Sequence, residues 1–255
     1  MTSPILVTGG TGTLGRFLVP RLRDAGRDVR VLSRSGHDHG KEHGRDVEFV
    51  RGDLLTGEGI NAAVKGVSVV LHCASGKKGD EAATGNLVEV AARQAARPHL
   101  VYPSVVGVEA LSLGYFRAKL RSEQAVTDSE LPWTIARFTQ FYDYIFSGAR
   151  SMAKMPVVPV PAGFRVQPID PDEVAARLVE LALGDPAGRV ADLGGPQEST
   201  WADMVRAYLR AGRRRKPVLP VRLPGLAKVR AGHLLPAGPV TGRKTWEEFL
   251  TEKLH

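Results

Sequence analysis

Short apolar runs and longer amphipathic stretches alternate along the first half of the chain. The runs are rich in β-branched residues, and such runs indicate strands that are buried on both faces. The predicted strands run from Ile5 to Thr8, Val29 to Ser33, Val47 to Arg51, Val67 to Cys73, His99 to Ser104 and Trp133 to Arg137. Strands that alternate with helices predict an α/β fold with a doubly wound parallel sheet.

Apolar residues three and four positions apart predict the intervening helices, as the stripe of Leu87, Val90 and Ala91 illustrates. In the first half the clearest predicted helices run from Thr13 to Ala25, Glu81 to Ala96 and Phe116 to Thr127. In the second half the same spacing predicts helices from Asp172 to Leu183, Trp201 to Ala211 and Thr245 to Leu254.

The pattern changes after Arg137, where prolines punctuate a loop-rich stretch and the later segments predict only a thin core. The length of 255 residues allows one large domain or two small ones. The sequence predicts a domain over residues 1–138 and a smaller C-terminal substrate lobe over residues 139–255. We expect this lobe to rest on the sheet as a lid and not to fold alone.

The composition is that of an ordinary folded protein, with 43% hydrophobic and 24% charged residues. Cys73 is the only cysteine, which excludes an intrachain disulfide and a cysteine-cluster metal site and favours a reducing cytoplasm. The chain start lacks a signal-peptide pattern, and no apolar run approaches the roughly 20 residues of a membrane span. We therefore expect a cytoplasmic protein without a membrane partner, either monomer or dimer.

The chain is basic, with a net charge of +8, which raises the question of a nucleic-acid partner. The arginines are scattered, however, and the one dense run, Arg213 to Lys216, is typical of a solvated stretch after a helix. His37, His39 and His43 cluster near two carboxylates, but glycines interrupt the segment and no predicted helix or strand holds it. Neither a nucleic-acid partner nor a metal site is predicted.

A glycine-rich segment follows the first strand directly and opens the first helix, with the sequence Thr8-Gly9-Gly10-Thr11-Gly12-Thr13-Leu14-Gly15. Gly9 permits a tight turn, Gly12 lets the backbone approach a pyrophosphate, and Gly15 lets helix and strand pack closely. The N-terminus of the helix then faces the anion. A flexible turn is the alternative, but the strand before and the helix after favour a dinucleotide site.

The end of the second strand distinguishes the two nicotinamide dinucleotides, because an acidic residue there binds a ribose hydroxyl and a basic residue accepts a 2′-phosphate. The strand ends in Ser33, Arg34 and Ser35, whereas Asp28 stands at its start. Arg34 between two hydroxyls suits a phosphate monoester through charge-assisted hydrogen bonds. NADP(H) is therefore the predicted cofactor, and a plain surface arginine is the alternative.

Two further strand ends carry candidate cofactor contacts that also have structural alternatives. Asp53, after the third strand, either accepts from an adenine amino group while Leu54 packs on the ring, or caps the helix that follows. Cys73, at the end of the fourth strand, is either a small buried residue or a reactive thiol.

Ser104 ends the fifth strand, and Tyr115 and Lys119 stand four positions apart in the next helix. That spacing places the phenol and the ammonium on one helical face. A phenol exchanges a proton with a carbonyl or alcohol when a nearby ammonium favours its ionised form, and a serine hydroxyl orients the substrate oxygen. These three residues are the predicted catalytic group.

Together these motifs resemble the atypical short-chain dehydrogenase/reductase superfamily, in its NmrA-like branch of NAD(P)-binding proteins. The matching segments cover nearly the whole chain and are Thr8 to Gly15, Gly52 to Leu54, Ser104 to Gly107, Tyr115 to Lys119 with Glu123, Leu131 to Arg137, Gln167 to Asp170, Asp172 to Ala175, Gly194 to Pro196 and Thr245 to Phe249. The resemblance implies a Rossmann-like domain that binds NADP(H) across the strand ends.

The resemblance also implies roles for individual residues. The implied contacts are Gly9, Thr11, Gly12 and Leu14 with the pyrophosphate, and Asp53 and Leu54 with the adenine. Cys73 and Ala74 are implied to flank the adenosine ribose. Lys119 is implied to hold the nicotinamide ribose, and Phe138 and Gln140 to lie beside the nicotinamide ring. Tyr115 is implied as the acid/base, with Ser104 assisting. Asn86 departs from the pattern of many active relatives, because it is shifted towards the face of Leu87, and it is predicted to be structural.

A dense aromatic segment follows the sixth strand, with Phe138, Phe141, Tyr142, Tyr144 and Phe146. Its rings either pack in the core between the lobes or line a pocket for a flat hydrophobic substrate such as a quinone or polycyclic ketone. The chain is therefore expected to be an NADPH-dependent oxidoreductase that transfers hydride between the nicotinamide and a carbonyl or quinone. Two alternatives stay open: an NADP(H)-sensing regulator without turnover, and a non-redox biosynthetic enzyme on the same scaffold.

Overall fold

Strands and helices alternate along the first half of the computed structural model, which describes residues 3–35, 47–76, 78–111, 113–238 and 241–254. The strands of this half are β1 (Ile5–Thr8), β2 (Val29–Ser33), β3 (Val47–Arg51), β4 (Val69–His72), β5 (His99–Val105) and β6 (Trp133–Phe138). The helices are α1 (Gly15–Asp24), α2 (Ile60–Val64), α3 (Asp80–Ala92) and α4 (Gly114–Thr127). Each predicted strand is present, and the first three have the predicted ends.

The second half contains three predicted helices and several elements that the pattern missed. The helices are α5 (Tyr142–Met152), α6 (Pro171–Leu183), α7 (Trp201–Ala211), α8 (Ala227–Arg230) and α9 (Trp246–Leu254). The strands are β7 (Val158–Pro161), β8 (Arg165–Val166), β9 (Gly188–Arg189), β10 (Ser199–Thr200) and β11 (Val218–Val221). The expectation of a loop-rich stretch after residue 137 is wrong for α5.

In the described ranges, no helix has the length and apolar character that a membrane span requires.

The main sheet has seven strands in the order β3-β2-β1-β4-β5-β6-β9. The pairs β1 with β2, β1 with β4, β2 with β3, β4 with β5 and β6 with β9 are all parallel. The chain order reverses between β1 and β4, and open sheets of this kind bind ligands outside the carboxyl ends of the strands at that point. The predicted doubly wound, Rossmann-like fold is therefore confirmed.

Apolar side chains of the sheet and of helices α3 and α4 pack together in a buried cluster. Leu6 of β1 and Leu100 of β5 pack in the same cluster as Leu87 of α3 and Val126 of α4, and all four are fully buried. Burial of each such side chain stabilises the fold by about 1.5–3 kcal/mol. This packing holds the strands in register and so fixes where their carboxyl ends lie.

The contacts within the chain divide it into two compact units. The first unit contains Met1–Ser104, Ser112–Ala136 and Val174–Val190, and it holds most of the main sheet. The second unit contains Val105–Leu111, Arg137–Glu173 and Ala191–His255. The boundary at residue 138 and the lid role of the C-terminal lobe stay predictions.

The second unit has an aromatic core, which is larger than the sequence suggested. The ring of Tyr142 on α5 lies 5.4 Å from that of Trp246 and 5.3 Å from that of Phe249, both on α9. Phe146 contacts Phe249 edge-on at 6.0 Å. Aromatic pairs of this kind add about 0.5–1.5 kcal/mol beyond the buried area. Tyr142 and Phe146 therefore pack in the core of the second unit, and packing of the aromatic segment between the lobes stays a prediction.

Candidate functional site

The turn between β1 and α1 has no room for a side chain at two of its glycines. Gly9 adopts a φ of +68°, and a Cβ there would lie 2.7 Å from the backbone nitrogen of Ala74. At Gly15 an added Cβ would lie 2.3 Å from the carbonyl oxygens of Gly9 and Gly10. Backbone atoms on both sides leave no way to relieve such contacts, so the turn requires glycine at both positions.

The N-terminus of α1 suits a bound anion. Leu14 precedes the helix without a side-chain cap, and the first turn contains no acidic residue. Thr11, Gly12 and Thr13, which lead into the helix, are exposed. The dipole of a helix without a side-chain cap favours a negative group at such a position. The residues present therefore fit the pyrophosphate of a dinucleotide.

A buried chain of hydrogen bonds connects β1, β4 and α3. Thr8 Oγ1 lies 2.7 Å from Nδ1 of His72, and Nε2 of His72 lies 3.0 Å from Oγ1 of Thr84. The Thr84 hydroxyl donates to the carbonyl oxygen of Asp80 over 2.7 Å. Burial, assisted by the charge of Lys119, lowers the pKa of His72 to about 3, so the ring is neutral. If the His72 ring carries its proton on Nε2, every donor and acceptor in this series of hydrogen bonds has a partner.

Lys119 on α4 is almost fully buried, and its ammonium has partners within the protein. Nζ donates to Oη of Tyr102 over 3.2 Å and lies 3.8 Å from a carboxylate oxygen of Asp80. The exposed fractions of the Lys119 and Asp80 side chains are only 6% and 7%. Asp80 also accepts from the Ser75 hydroxyl at 2.5 Å and from the Gly76 N–H at 2.6 Å. The pair therefore ties α4 to the loop that follows β4.

Ser104 and Tyr115 do not form a hydrogen bond with each other. Ser104 is completely buried, and its hydroxyl has no hydrogen-bond partner among the described residues. Tyr115 is 48% exposed, and its ring lies edge-on to Phe116 at 5.5 Å. Lys119 contacts Tyr102, which shares a face of β5 with Ser104 because the two are two residues apart. The catalytic roles of Ser104, Tyr115 and Lys119 stay predictions.

Cys73 and Ala74 follow β4 and tie it to β1. The Cys73 N–H donates to the carbonyl oxygen of Thr8, and the Ala74 N–H donates to the Thr8 hydroxyl, both over 3.2 Å. Burial raises the pKa of the Cys73 thiol to about 12, although the charge of Lys119 acts in the opposite direction. The thiol is protonated at neutral pH, which favours the structural interpretation over a reactive cysteine. The expected contacts with the adenosine ribose stay predictions.

Arg34 follows β2 directly and is exposed. The hydroxyls of its neighbours Ser33 and Ser35 lie 2.9 Å apart. Asp28 precedes the other end of the strand, where its carbonyl oxygen accepts from the N–H of Ile5. The carboxyl end of β2 therefore carries an exposed arginine that two serines flank in the sequence, and the 2′-phosphate site stays a prediction.

Asp53 closes a turn after β3 and does not cap a helix. One carboxylate oxygen accepts from the Leu55 N–H over 2.9 Å, and α2 begins only at Ile60. The helix-cap interpretation is therefore wrong, because a turn separates Asp53 from the helix. Leu54 packs into the hydrophobic core, and Asn86 donates to its carbonyl oxygen, which confirms a structural role for Asn86. The adenine contacts of Asp53 and Leu54 stay predictions.

In the second unit, Phe138 and Phe141 stack on each other with ring centroids 5.0 Å apart and an interplanar angle of 16°. Gln140 lies between them in sequence, and its side-chain oxygen is buried without a hydrogen-bond partner among the described residues. Tyr144 is 65% exposed. The Tyr144 ring lies edge-on to Trp201 at 5.8 Å, and Trp201 belongs to the same buried cluster as Tyr142. The pocket-lining interpretation of Phe138 and Phe141 stays a prediction, as does the nicotinamide contact of Phe138 and Gln140.

In the part of the chain that the structure describes, no group of three or more His, Cys, Asp or Glu is arranged to hold a metal ion. His37, His39 and His43 fall within residues 36–46, which lie outside the described residues. The expectation that this histidine cluster binds no metal stays a prediction.

The sequence pattern did not single out His72, Asp80 or Tyr102. His72 ends the apolar strand β4, Tyr102 lies in the middle of β5, and Asp80 follows a glycine-containing loop at the start of a helix. Buried polar side chains almost always have hydrogen-bond partners in folded proteins. The available signal was therefore the presence of His72 and Tyr102 in strands, because each needs a buried hydrogen-bond partner.

Comparison with known proteins shows a family match over most of the chain. The model of the NAD(P)H-binding family matches residues 9–183. A (4-alkanoyl-5-oxo-2,5-dihydrofuran-3-yl)methyl phosphate reductase of Streptomyces griseus is 35% identical over 200 residues, which cover 77% of this chain and 69% of that protein. A ceramide reductase of Caulobacter vibrioides is 30% identical over 250 residues, with coverage of 91% and 77%.

Among solved structures, the fold is similar to that of an NADPH-dependent quinone oxidoreductase from Escherichia coli in complex with NADPH. The TM-score is 0.84 with 17% sequence identity, and the match covers 98% of this chain and 100% of that one. At this level of identity the likeness shows a shared fold. It extends over both compact units.

Proposed function

The chain belongs to the NAD(P)H-binding family, and we propose that it reduces a small hydrophobic or aromatic carbonyl compound or quinone with NADPH, as expected from the resemblance of its motifs to the NmrA-like branch of the atypical short-chain dehydrogenases/reductases. The family and the two related reductases support an oxidoreductase that uses NAD(P)H. The preference for NADPH and the class of substrate are the proposed part.

The observation that carries the proposal is the glycine turn, residues 9–15. Side chains are excluded at Gly9 and Gly15, and the helix that follows has neither a side-chain cap nor an acidic first turn. A turn of this shape at the carboxyl end of β1 places backbone N–H groups where a pyrophosphate can accept from them. The turn also lies next to β4, at the point where the strand order reverses.

The proposed chemistry assigns one task to each of three side chains. When bound, the reduced nicotinamide supplies the hydride. Tyr115 is accessible to solvent, so its phenol can donate a proton to the substrate oxygen as that oxygen becomes negative. The Ser104 hydroxyl can donate a hydrogen bond to the same oxygen, and the charge of Lys119 favours the phenolate that remains.

Replacement of Tyr115 by phenylalanine tests the proton donor. We expect turnover to fall by about a hundredfold or more, because a positioned general acid contributes on that order, while NADPH affinity changes little. The loss of absorbance of reduced nicotinamide with a panel of quinones and ketones measures turnover. Tyr144→Phe removes an exposed phenol from the second unit and serves as the control. Equal turnover in Tyr115→Phe and the parent protein would remove Tyr115 from the mechanism.

Replacement of Arg34 by serine tests the choice of cofactor. Hydrogen bonds to charged groups contribute about 1.5–3 kcal/mol each, so NADPH should bind at least about tenfold more weakly while NADH binding is unchanged. Calorimetric titration with both dinucleotides gives the ratio directly. Arg93→Ser, which removes an exposed arginine directly after α3, is the matched control. A ratio that Arg34→Ser leaves unaltered contradicts the NADPH preference.

An NADP(H)-sensing regulator is the second candidate, and the arrangement of the predicted catalytic group supports it. Ser104 and Tyr115 are not hydrogen-bonded to each other, and Lys119 is already paired with Asp80 and Tyr102. Sensing requires different affinities for the oxidised and reduced cofactor. No turnover across the substrate panel, together with unequal affinities for NADP and NADPH, would favour this function over a reductase.

A further inference from the structure

Positive charge is concentrated in one stretch of the second unit. Between Asp203 and Glu247 the sequence contains no acidic residue, whereas Lys and Arg recur throughout. The densest part is the run at residues 213–216, directly after α7. This stretch therefore contributes much of the net charge of +8.

The end of α7 turns this run towards solvent. Arg213 has a φ of 53°, in the left-handed region that favours glycine. The N–H groups of Arg213 and Arg214 donate to the carbonyl oxygens of Arg210 and Leu209. These bonds end the helix in a Schellman motif with an arginine where glycine is usual. Residues 213–215 are exposed, and none of them forms an ion pair with another residue in the described ranges.

Large apolar side chains follow these cations along the chain. β11 and the residues after it expose Leu219, Val221 and Leu223 by 55%, 36% and 44%. Arg222 stands between the last two and is also exposed. Single exposed apolar residues are common on protein surfaces, whereas several of them within residues 219–223 give this segment a larger apolar surface.

The neighbouring strand β7 extends the apolar surface. Leu219 pairs with Pro159 and Val221 with Pro161 in the parallel register of β11 and β7. Paired residues lie on the same face, so proline rings adjoin the leucine and the valine. Because proline has no N–H, these strands cannot offer a full row of backbone donors to an added strand. The surface is therefore suited to contact through side chains.

We propose that this surface docks the protein on an anionic lipid bilayer, and we define it as the basic apolar face of Arg213, Arg214, Arg215, Arg222, Leu219 and Leu223. The arginines contact acidic headgroups, and the leucines enter the boundary between headgroups and acyl chains. Stable attachment to a bilayer generally needs two such signals, and this face combines both. The contact is peripheral and requires no membrane-spanning helix.

The apolar component favours a bilayer over a nucleic acid. Proteins that bind nucleic acids without sequence preference combine cations with aromatic rings on which the bases stack. The basic apolar face offers aliphatic side chains instead, and aliphatic side chains gain by leaving water for an acyl boundary. This docking does not depend on the proposed reductase activity.

Co-sedimentation of the full chain with vesicles tests the proposal. We expect binding to vesicles of phosphatidylcholine with phosphatidylglycerol but not to phosphatidylcholine alone, and weaker binding as salt increases. One basic residue at an anionic surface strengthens binding about fivefold, so Arg214→Gln/Arg215→Gln/Arg222→Gln should bind at least about tenfold more weakly. Arg213 is left in place because of its backbone conformation. Leu219→Ser/Leu223→Ser, which leaves the charge unchanged, should also weaken binding.

The matched control is Arg93→Gln/Arg97→Gln/Arg121→Gln, which removes three exposed arginines of the first unit. Circular dichroism verifies that each variant is folded. The control should bind vesicles as tightly as the parent protein. If the control variant loses as much binding as the arginine variant of the basic apolar face, the effect comes from net charge alone and the proposal is overturned. Binding that the leucine variant leaves unaltered, tighter binding to a DNA duplex through the same arginines, or self-association through this face would also overturn it.

Discussion

Gly15→Ala should abolish dinucleotide binding and destabilise the first unit. The added Cβ would lie 2.3 Å from two backbone carbonyl oxygens, those of Gly9 and Gly10, so the turn and α1 must move apart. Overpacking of this kind typically costs about 1–3 kcal/mol, and we expect the free energy of unfolding to fall by that amount. NADPH and NADH should lose affinity together, because the pyrophosphate is common to both. Urea unfolding and calorimetric titration measure the two effects.

Gly85→Ala is the control for this substitution. Gly85 lies within α3, and an added Cβ there would meet nothing within 4 Å. Alanine is favoured over glycine in a helix by about 0.5–1 kcal/mol, so this variant should be slightly more stable and bind NADPH normally. If Gly15→Ala bound the dinucleotides as tightly as Gly85→Ala does, the glycine turn would not be the pyrophosphate site.

Lys119→Met should have the second large effect, on stability. The substitution leaves the Asp80 carboxylate buried without its counter-charge, and it removes the donor to Tyr102. Breaking a buried ion pair by removing one partner costs about 3–5 kcal/mol, because the other charge stays buried and uncompensated. We expect the free energy of unfolding to fall by an amount of this order, as measured by urea unfolding without cofactor.

A double-mutant cycle with Asp80→Asn separates this pair from a cofactor role of Lys119. The combination Lys119→Met/Asp80→Asn should lose less stability than the two single variants together, with a coupling of about 0.5–3 kcal/mol. Strict additivity would show that the two charges do not interact. A Lys119→Met protein of normal stability but weakened NADPH binding would instead assign the ammonium to the nicotinamide ribose.

Local pattern was sufficient for six strands of the main sheet, because each is a short run rich in β-branched residues that turn or helix signals bound. β1, β2 and β3 begin and end where the pattern predicts. The glycine turn could be predicted equally well, because its backbone conformation requires glycine at fixed positions. β9 could not be found in this way, because a strand of two residues has no hydrophobic pattern.

The hydrogen-bond and ion-pair partners of the candidate-site residues could not be predicted from the sequence, because the fold brings them together from distant positions of the chain. Lys119 attracts attention through its distance from Tyr115 along one helix, whereas Asp80 and Tyr102 reach it from α3 and β5. Helix α5 was hidden for a different reason. Tyr142, Ile145 and Ala149 have helical spacing and are buried, but the prolines that follow suggested a loop.

The two outer strands of the main sheet limit how copies of this protein can aggregate. One edge is β9, whose two residues leave little backbone for another chain to pair with. The other edge is β3, which carries Glu48 and Arg51, and Glu48 pairs with Arg30 of the adjacent strand. Short and charged edge strands are the usual obstacles to sheet extension between molecules. Growth of this sheet from one molecule into the next is therefore disfavoured at both ends, even at high protein concentration.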